Sequence, residues 1–253
     1  MKRNQLLALI QANNRKKTAT RNLVVKNEGD SATIYVYDVI GEDWYGGVDS
    51  GEFVRELAAL DVSEIHLRVD SPGGDVFAAR AMQTALAEHK ARVIAHIDGL
   101  AASAATFLVM GADEIRMTGG GFFMIHKGWT FTAGNADDMR KEAALLDKVD
   151  GSIAADYAAR TGKDKDELID LMAAETWYTA AEAQEAGFID EVVEVVRDKA
   201  AKNARLYDLS AYRNAPADYS EQAAPEPEPE QPKQPDPAAH RAHIERAARL
   251  LNI

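Results

Sequence analysis

The chain has 253 residues, 46% of them hydrophobic, which is enough to bury one sizeable core with appendages. It contains no cysteine, which excludes disulfides, thiolate catalysis and Cys-based zinc sites. Its 41 acidic against 29 basic residues give a net charge of −12, so nucleic acid is not expected as a partner. No apolar run approaches the roughly 18 residues of a membrane span, and MKRNQLLALIQANNRKK lacks a convincing signal-peptide cleavage site, so a cytoplasmic protein without membrane contact is expected.

Residues 1–31 read as a short amphipathic helix, with Leu6, Leu7, Leu9 and Ile10 as its apolar part, followed by a polar connector. From Ala32 the stretch ATIYVYDVIG is β-branched and aromatic and stops at glycine, the pattern of a buried strand. SGEFVRELAAL sets Phe53, Leu57 and Leu60 at helical spacing, SEIHLRVDSPGG returns to strand, and AARAMQTALAEHK to helix. ARVIAHIDG is a strand with a turn at Gly99, ASAATFLVMGA a helix, EIRMT and FFMIH short strands, and a long helix runs from about Asp137 to Arg160. Strands alternating with helices imply right-handed crossovers and a mainly parallel sheet, an α/β domain over 32–196. A connector over 197–220 leads to EQAAPEPEPEQPKQPDPA, residues 221–238, where proline alternating with charge favours a disordered acidic tether. The final 239–253 set Ile244, Ala248 and Leu251 at helical spacing, a short amphipathic helix that needs a partner or a second copy to be stable.

Three local patterns carry chemistry. In DGLAASAATFLVMGA, Ser103 follows a strand and opens a helix among small residues, where backbone N–H groups and the helix dipole favour developing negative charge. Alone, it reads sooner as a packing serine bonded back to a carbonyl. In DSPGGDV, Pro72 fixes its φ and Gly73 and Gly74 expose N–H groups at a strand end, an oxyanion site or simply a strand-to-helix turn. In FFMIHKG, His126 ends an apolar strand, where a general base reaches a neighbouring loop; the other five histidines sit on helix faces, strand surfaces or the tail.

SPGGDVFAARAM, GLAASAATFLVMGA, FFMIHKG and ETWYTAAEAQEAGFIDEV, in that order, resemble the Clp protease proteolytic subunit over roughly 32–196. The ETW segment, the missing N-terminal processivity region and the Pro/Glu tail are similar, more narrowly, to the prohead (head maturation) proteases of tailed bacteriophages. The resemblance implies a ClpP/crotonase-like fold of repeated ββα/βαβ units with a handle helix after His126, through which rings of subunits stack. It implies Ser103 as nucleophile, His126 as base, and the N–H groups of Gly74 and Ala104 as oxyanion hole, with no cofactor and no metal. The family's acid falls on Leu171, so the third member is left to Asp170 by proximity, to Glu175 second, or to a Ser–His dyad oriented by a backbone carbonyl. A one-residue shift rotates a helical side chain by about 100°, so Asp170 inherits the role only if its helix is re-registered. The expected function is an ATP-independent serine endopeptidase, a homo-oligomeric ring processing polypeptides, scaffold or capsid proteins among them, in the bacterial or phage-infected cytoplasm or within the procapsid.

Three rivals stand beside this reading. A crotonase-like acyl-CoA enzyme would share the fold without needing Ser103 and His126 together. An inactive assembly component would explain Leu171. A Ser–Lys mechanism through Lys127 is disfavoured because adjacent strand residues face opposite ways.

Overall fold

The computed structural model describes residues 24–41, 47–194, 209 and 212–216. The sequence-based expectations for the N-terminal helix, the Pro/Glu tether and the C-terminal helix lie outside the described residues.

The sheet begins with β1 (Val24–Glu28) turning through Gly29, at φ 72°, into β2 (Ser31–Val36) as an antiparallel hairpin. Sequence reading placed a polar connector over β1; its VVKNE lacks the apolar alternation that marks a strand, and only pairing with β2 makes it one. The remaining strands are β3 (Glu64–Ser71), β4 (Arg92–Ala102), β5 (Glu114–Thr118), β6 (Phe122–Ile125), β7 (Thr176–Thr179) and β8 (Glu191–Val193). The order β1-β2-β3-β4-β5-β8 is parallel from β2 onward. Six α-helices follow in chain order: α1 (Ser50–Ala58), α2 (Val76–Glu88), α3 (Ala104–Leu108), α4 (Ala136–Thr161), α5 (Lys165–Ala173) and α6 (Ala180–Glu185).

β4 is the hinge of the design. Its first half pairs β5, Ile94 opposite Glu114, and its second half leaves that partner for β6, Leu100 opposite Phe122 and Ala102 opposite Met124. β6 in turn pairs β7 antiparallel. No turn occurs at Gly99, contrary to the sequence expectation: the strand runs through it to Ala102. A Cβ there would stand 2.9 Å from Asp70 Oδ1, and that carboxylate accepts the Leu100 N–H at 3.0 Å across a register shift in β3. The result carries the end of β4, and so Ser103, beside the end of β6, and so His126.

One sheet face packs on helices. Ile65, Leu67 and Val69 of β3 and Val93, Ala95 and Ile97 of β4 are buried against Phe53 and Leu57 of α1 and Ala79, Met82 and Leu86 of α2. Each such large side chain contributes about 1.5–3 kcal/mol on burial. Alternate residues of β3 and β4 make a polar row with Tyr37, just past β2, and with Glu114 and Arg116 of β5: the Arg68 guanidinium clamps Asp98, Tyr37 donates to Asp98, and Arg92 and Arg116 both reach Glu114 at 2.5 Å. α4 starts from a capping box on Asn135 and ends at left-handed Gly162, φ 72°. It is mostly exposed, burying Asp150, Ile153, Ala154 and Tyr157. No helix among the described residues is long and apolar enough to cross a membrane.

Candidate active site

Ser103 sits between β4 and α3 with φ 56° and ψ −127°, a conformation that costs a non-glycine residue of the order of 1–3 kcal/mol. The surroundings hold it there. Its N–H donates to Met124 O at 2.9 Å, and its carbonyl accepts from Thr106 N at 2.9 Å and Thr106 Oγ1 at 2.5 Å. Thr106 Oγ1 also meets the Tyr157 hydroxyl of α4 at 2.5 Å. The sharp turn therefore projects Oγ off the sheet end, which a serine inside a regular helix could not do.

Facing it, His126 Nε2 lies 2.7 Å from Ser103 Oγ. The Lys127 backbone N–H donates to Met172 O, and the hydroxyl's partner is the imidazole. Burial pushes the imidazole down to about 4 from an ordinary 6.5, so it is neutral at physiological pH and free to accept a proton. Beyond it, Gly128 N–H donates at 2.7 Å to the buried carboxylate of Asp150 on α4, whose own affinity for protons burial raises. Asp150 was not singled out in the sequence, where nothing separates it from the other acids of an amphipathic helix.

The third wall is the PGG loop. Gly73 at φ 94° and Gly74 at φ 151° run against two backbones: a Cβ on Gly73 would be 2.6 Å from Ala102 O and from Ser103 Cβ, and one on Gly74 would be 2.1 Å from Ile40 O. The loop is stitched to Ile40 by Ile40 N–H to Gly73 O and Asp75 N–H to Ile40 O, both 2.8 Å. Neither stitch uses the Gly74 N–H. Ala104, opening α3, has no intrahelical acceptor for its own. Among the described residues both donors remain for a ligand. Ser103, His126, Gly74 and Ala104 all line one open cleft of about 850 Å³. Its rim is apolar: Phe77, Trp129, Phe131 and Leu145 are exposed there.

The acids do not join them. Asp170 is exposed on α5, whose buried face is Leu168 and Met172, and the helix keeps the register in which Leu171 is partly buried. Glu175, at φ 55°, accepts the Asn214 N–H at 2.7 Å and Trp177 Nε1 at 3.4 Å. Neither carboxylate bonds to His126.

The end of the parallel sheet thus brings a strained serine at one strand end within hydrogen-bonding distance of an imidazole at the next. Residues 46–196 match the family described as Clp protease, and the chain belongs to that family. It is 31% identical over 158 residues to ATP-dependent Clp protease proteolytic subunit 2 of Treponema pallidum, covering 61% of this chain and 78% of that one. It is 28% identical over 155 residues to the subunit 2 of Treponema denticola, with 59% and 78% covered. With the Clp protease proteolytic subunit of Deinococcus radiodurans it shares 26% over 155 residues, with 59% and 76% covered.

Proposed function

We propose that the protein is a Clp-type serine endopeptidase working through an acyl-enzyme. Ser103 Oγ attacks the scissile carbonyl as His126 Nε2 takes its proton, and the N–H groups of Gly74 and Ala104 hold the oxyanion. The C–N bond then breaks as His126 returns the proton to the leaving amine, and water repeats the sequence to split the ester. The observation that carries this reading is the 2.7 Å Nε2 to Oγ contact at a strained serine. No acid among the described residues bonds to the imidazole, and with that arrangement turnover is expected to be slow, since loss of that partner costs of the order of 10⁴-fold. The test is fluorophosphonate labelling followed by peptide mapping: label on Ser103 that disappears in Ser103→Ala and falls at least 100-fold in His126→Ala supports it, and an unlabelled Ser103 rejects it.

A homo-oligomer is part of the proposal, supported by family membership and by the long, largely exposed α4. Sedimentation as a monomer at micromolar concentration would contradict it. The narrower assignment, a phage prohead protease cutting scaffold or capsid protein, is supported by the ETW segment and the Pro/Glu-rich stretch of the sequence. Co-expression with the scaffold and capsid proteins of a tailed phage tests it; absence of Ser103-dependent cleavage of either counts against it.

A further inference from the structure

The imidazole has a neighbour from far along the chain. The Tyr212 ring meets the His126 ring edge-on, centroids 5.7 Å apart at 84°, and its hydroxyl donates to Pro72 O in the PGG loop at 3.3 Å. Its other side meets Trp177 edge-on at 5.9 Å. This placement is built, not incidental. Leu209 is fully buried with Leu100, Ala102 and Met124, the residues that lead into Ser103 and His126, and Tyr212 N–H turns back onto Leu209 O. Asn214 pins the next residues: its side chain donates to Ala174 O at 2.7 Å and to Glu175 O at 3.1 Å, and its N–H donates to Glu175 Oε1. Glu175, left-handed where it follows the end of α5, turns both its carbonyl and its carboxylate toward Asn214. Tyr212 does not line the cleft that Ser103 and His126 line, so the contact leaves the substrate side open.

We infer that Tyr212 is a positioning residue, fixing the His126 imidazole with its ring and the oxyanion loop with its hydroxyl where no acid among the described residues bonds to that histidine. The inference rests on the Ser103–His126 reading above. A catalytic base needs one orientation; where a carboxylate supplies it by hydrogen bonding, this chain supplies it by packing. The two modes differ in their electrostatic signature. A carboxylate stabilises the imidazolium, whereas an aromatic wall keeps water away and favours the neutral ring, in accord with burial as the cause of the depressed His126 value. The charged groups around it do not take over the carboxylate's part. Glu175 is engaged by Asn214 and Trp177, Lys127 acts on Asp150, and Asp150 is bonded to Gly128 N–H.

The experiment is the pH dependence of fluorophosphonate labelling at Ser103 in the full-length protein, with the His126 titration followed by NMR. Wild type is expected to label at a constant rate down to about pH 5 and to fall near 4. Tyr212→Ala admits water, so the acid limb should rise by a unit or more toward 6.5 and the rate at pH 5 should drop by about two-fold for a one-unit rise and about thirty-fold if the limb reaches 6.5. Tyr212→Phe keeps the ring and should restore the limb, with a plateau reduced a few-fold because Pro72 O loses its donor. Asn214→Ala, which unpins the segment without touching the ring, should shift the limb part of the way, and it decides the matter if Tyr212→Ala does not fold. An acid limb and plateau in Tyr212→Ala, or in Asn214→Ala where that variant decides, indistinguishable from wild type would overturn the inference. A wild type that does not label at Ser103 would instead remove the peptidase reading beneath it.

Discussion

His96 and His126 are both pushed down to about 4, yet they sit in regions built for different purposes. His96 belongs to the polar row of the sheet, its Nε2 3.0 Å from His66 Nδ1, and burial is reinforced there by the positive charge of Arg68. His126 is depressed by burial alone and faces a hydroxyl on strained backbone. The comparison teaches that a perturbed histidine is not itself a sign of chemistry. What separates the two is the neighbour: another imidazole in one case, a serine that the fold holds off the sheet end in the other.

The sharpest way to break the comparison is to exchange the consequences. Ser103→Ala should abolish labelling and peptide cleavage, and His126→Ala should reduce them by at least 100-fold, while His96→Asn leaves both within a factor of two. Thermal midpoints serve as the control for folding. Loss of cleavage in His96→Asn with an unaltered midpoint would mean that the polar row takes part in the reaction.

Next in size is the loop that faces the serine. Gly73→Ala places a Cβ 2.6 Å from Ala102 O and Ser103 Cβ at φ 94°, so about 2 kcal/mol or more of stability should be lost, along with most of the activity. No counterpart is expected at Gly120, where a Cβ meets nothing within 4 Å. Equal urea midpoints for the two variants would show that the loop yields.

A smaller effect is expected at Asp150. Asp150→Ala strands the Gly128 N–H and should cost about 1–3 kcal/mol, whereas Asp150→Asn keeps an acceptor and sheds the desolvation of a carboxylate, so it should be much milder. Similar losses in both would assign the role to packing instead of the hydrogen bond.

The parts of this arrangement legible in sequence are those set by local pattern. Period-2 strands, helical spacing in α1 and α2, and small residues around Ser103 each declare themselves within a dozen residues. The order of PGG, AAS and IH along the chain is equally local, and the structure gathers those three segments around one cleft. What could not be read depends on distance. β4 changing partners at Gly99 follows from Asp70 reaching Leu100, and β1 exists as a strand only by pairing with β2. The acid illustrates the same limit: Asp170 is near in number but lies on the exposed side of α5, because Leu168 and Met172 claim the inner one. Tyr212 carries no signal at all, being one aromatic in a polar stretch whose partners His126, Pro72 and Trp177 are distant in sequence.

The smallest effect tests the comparison through stability. Both histidines have folded values below their ordinary 6.5, so between that value and about 4 the unfolded chain binds more protons than the folded one. Their contribution is therefore fully present above pH 6.5 and is lost as pH falls toward 4. Paired carboxylates such as Glu114, held below their ordinary value by arginine, add their own loss only at lower pH, and Asp150, displaced upward, acts in the opposite sense. In the window from about pH 6.5 to 5 the histidines therefore lower stability as pH falls, with Asp150 opposing them. Urea midpoints should fall across it in wild type, and His96→Asn should flatten that fall while leaving the acid limb of Ser103 labelling in place. If the slope persists unchanged, the His66–His96 pair takes up protons in the folded protein as readily as in the unfolded one, and burial in the polar row is weaker than at the serine.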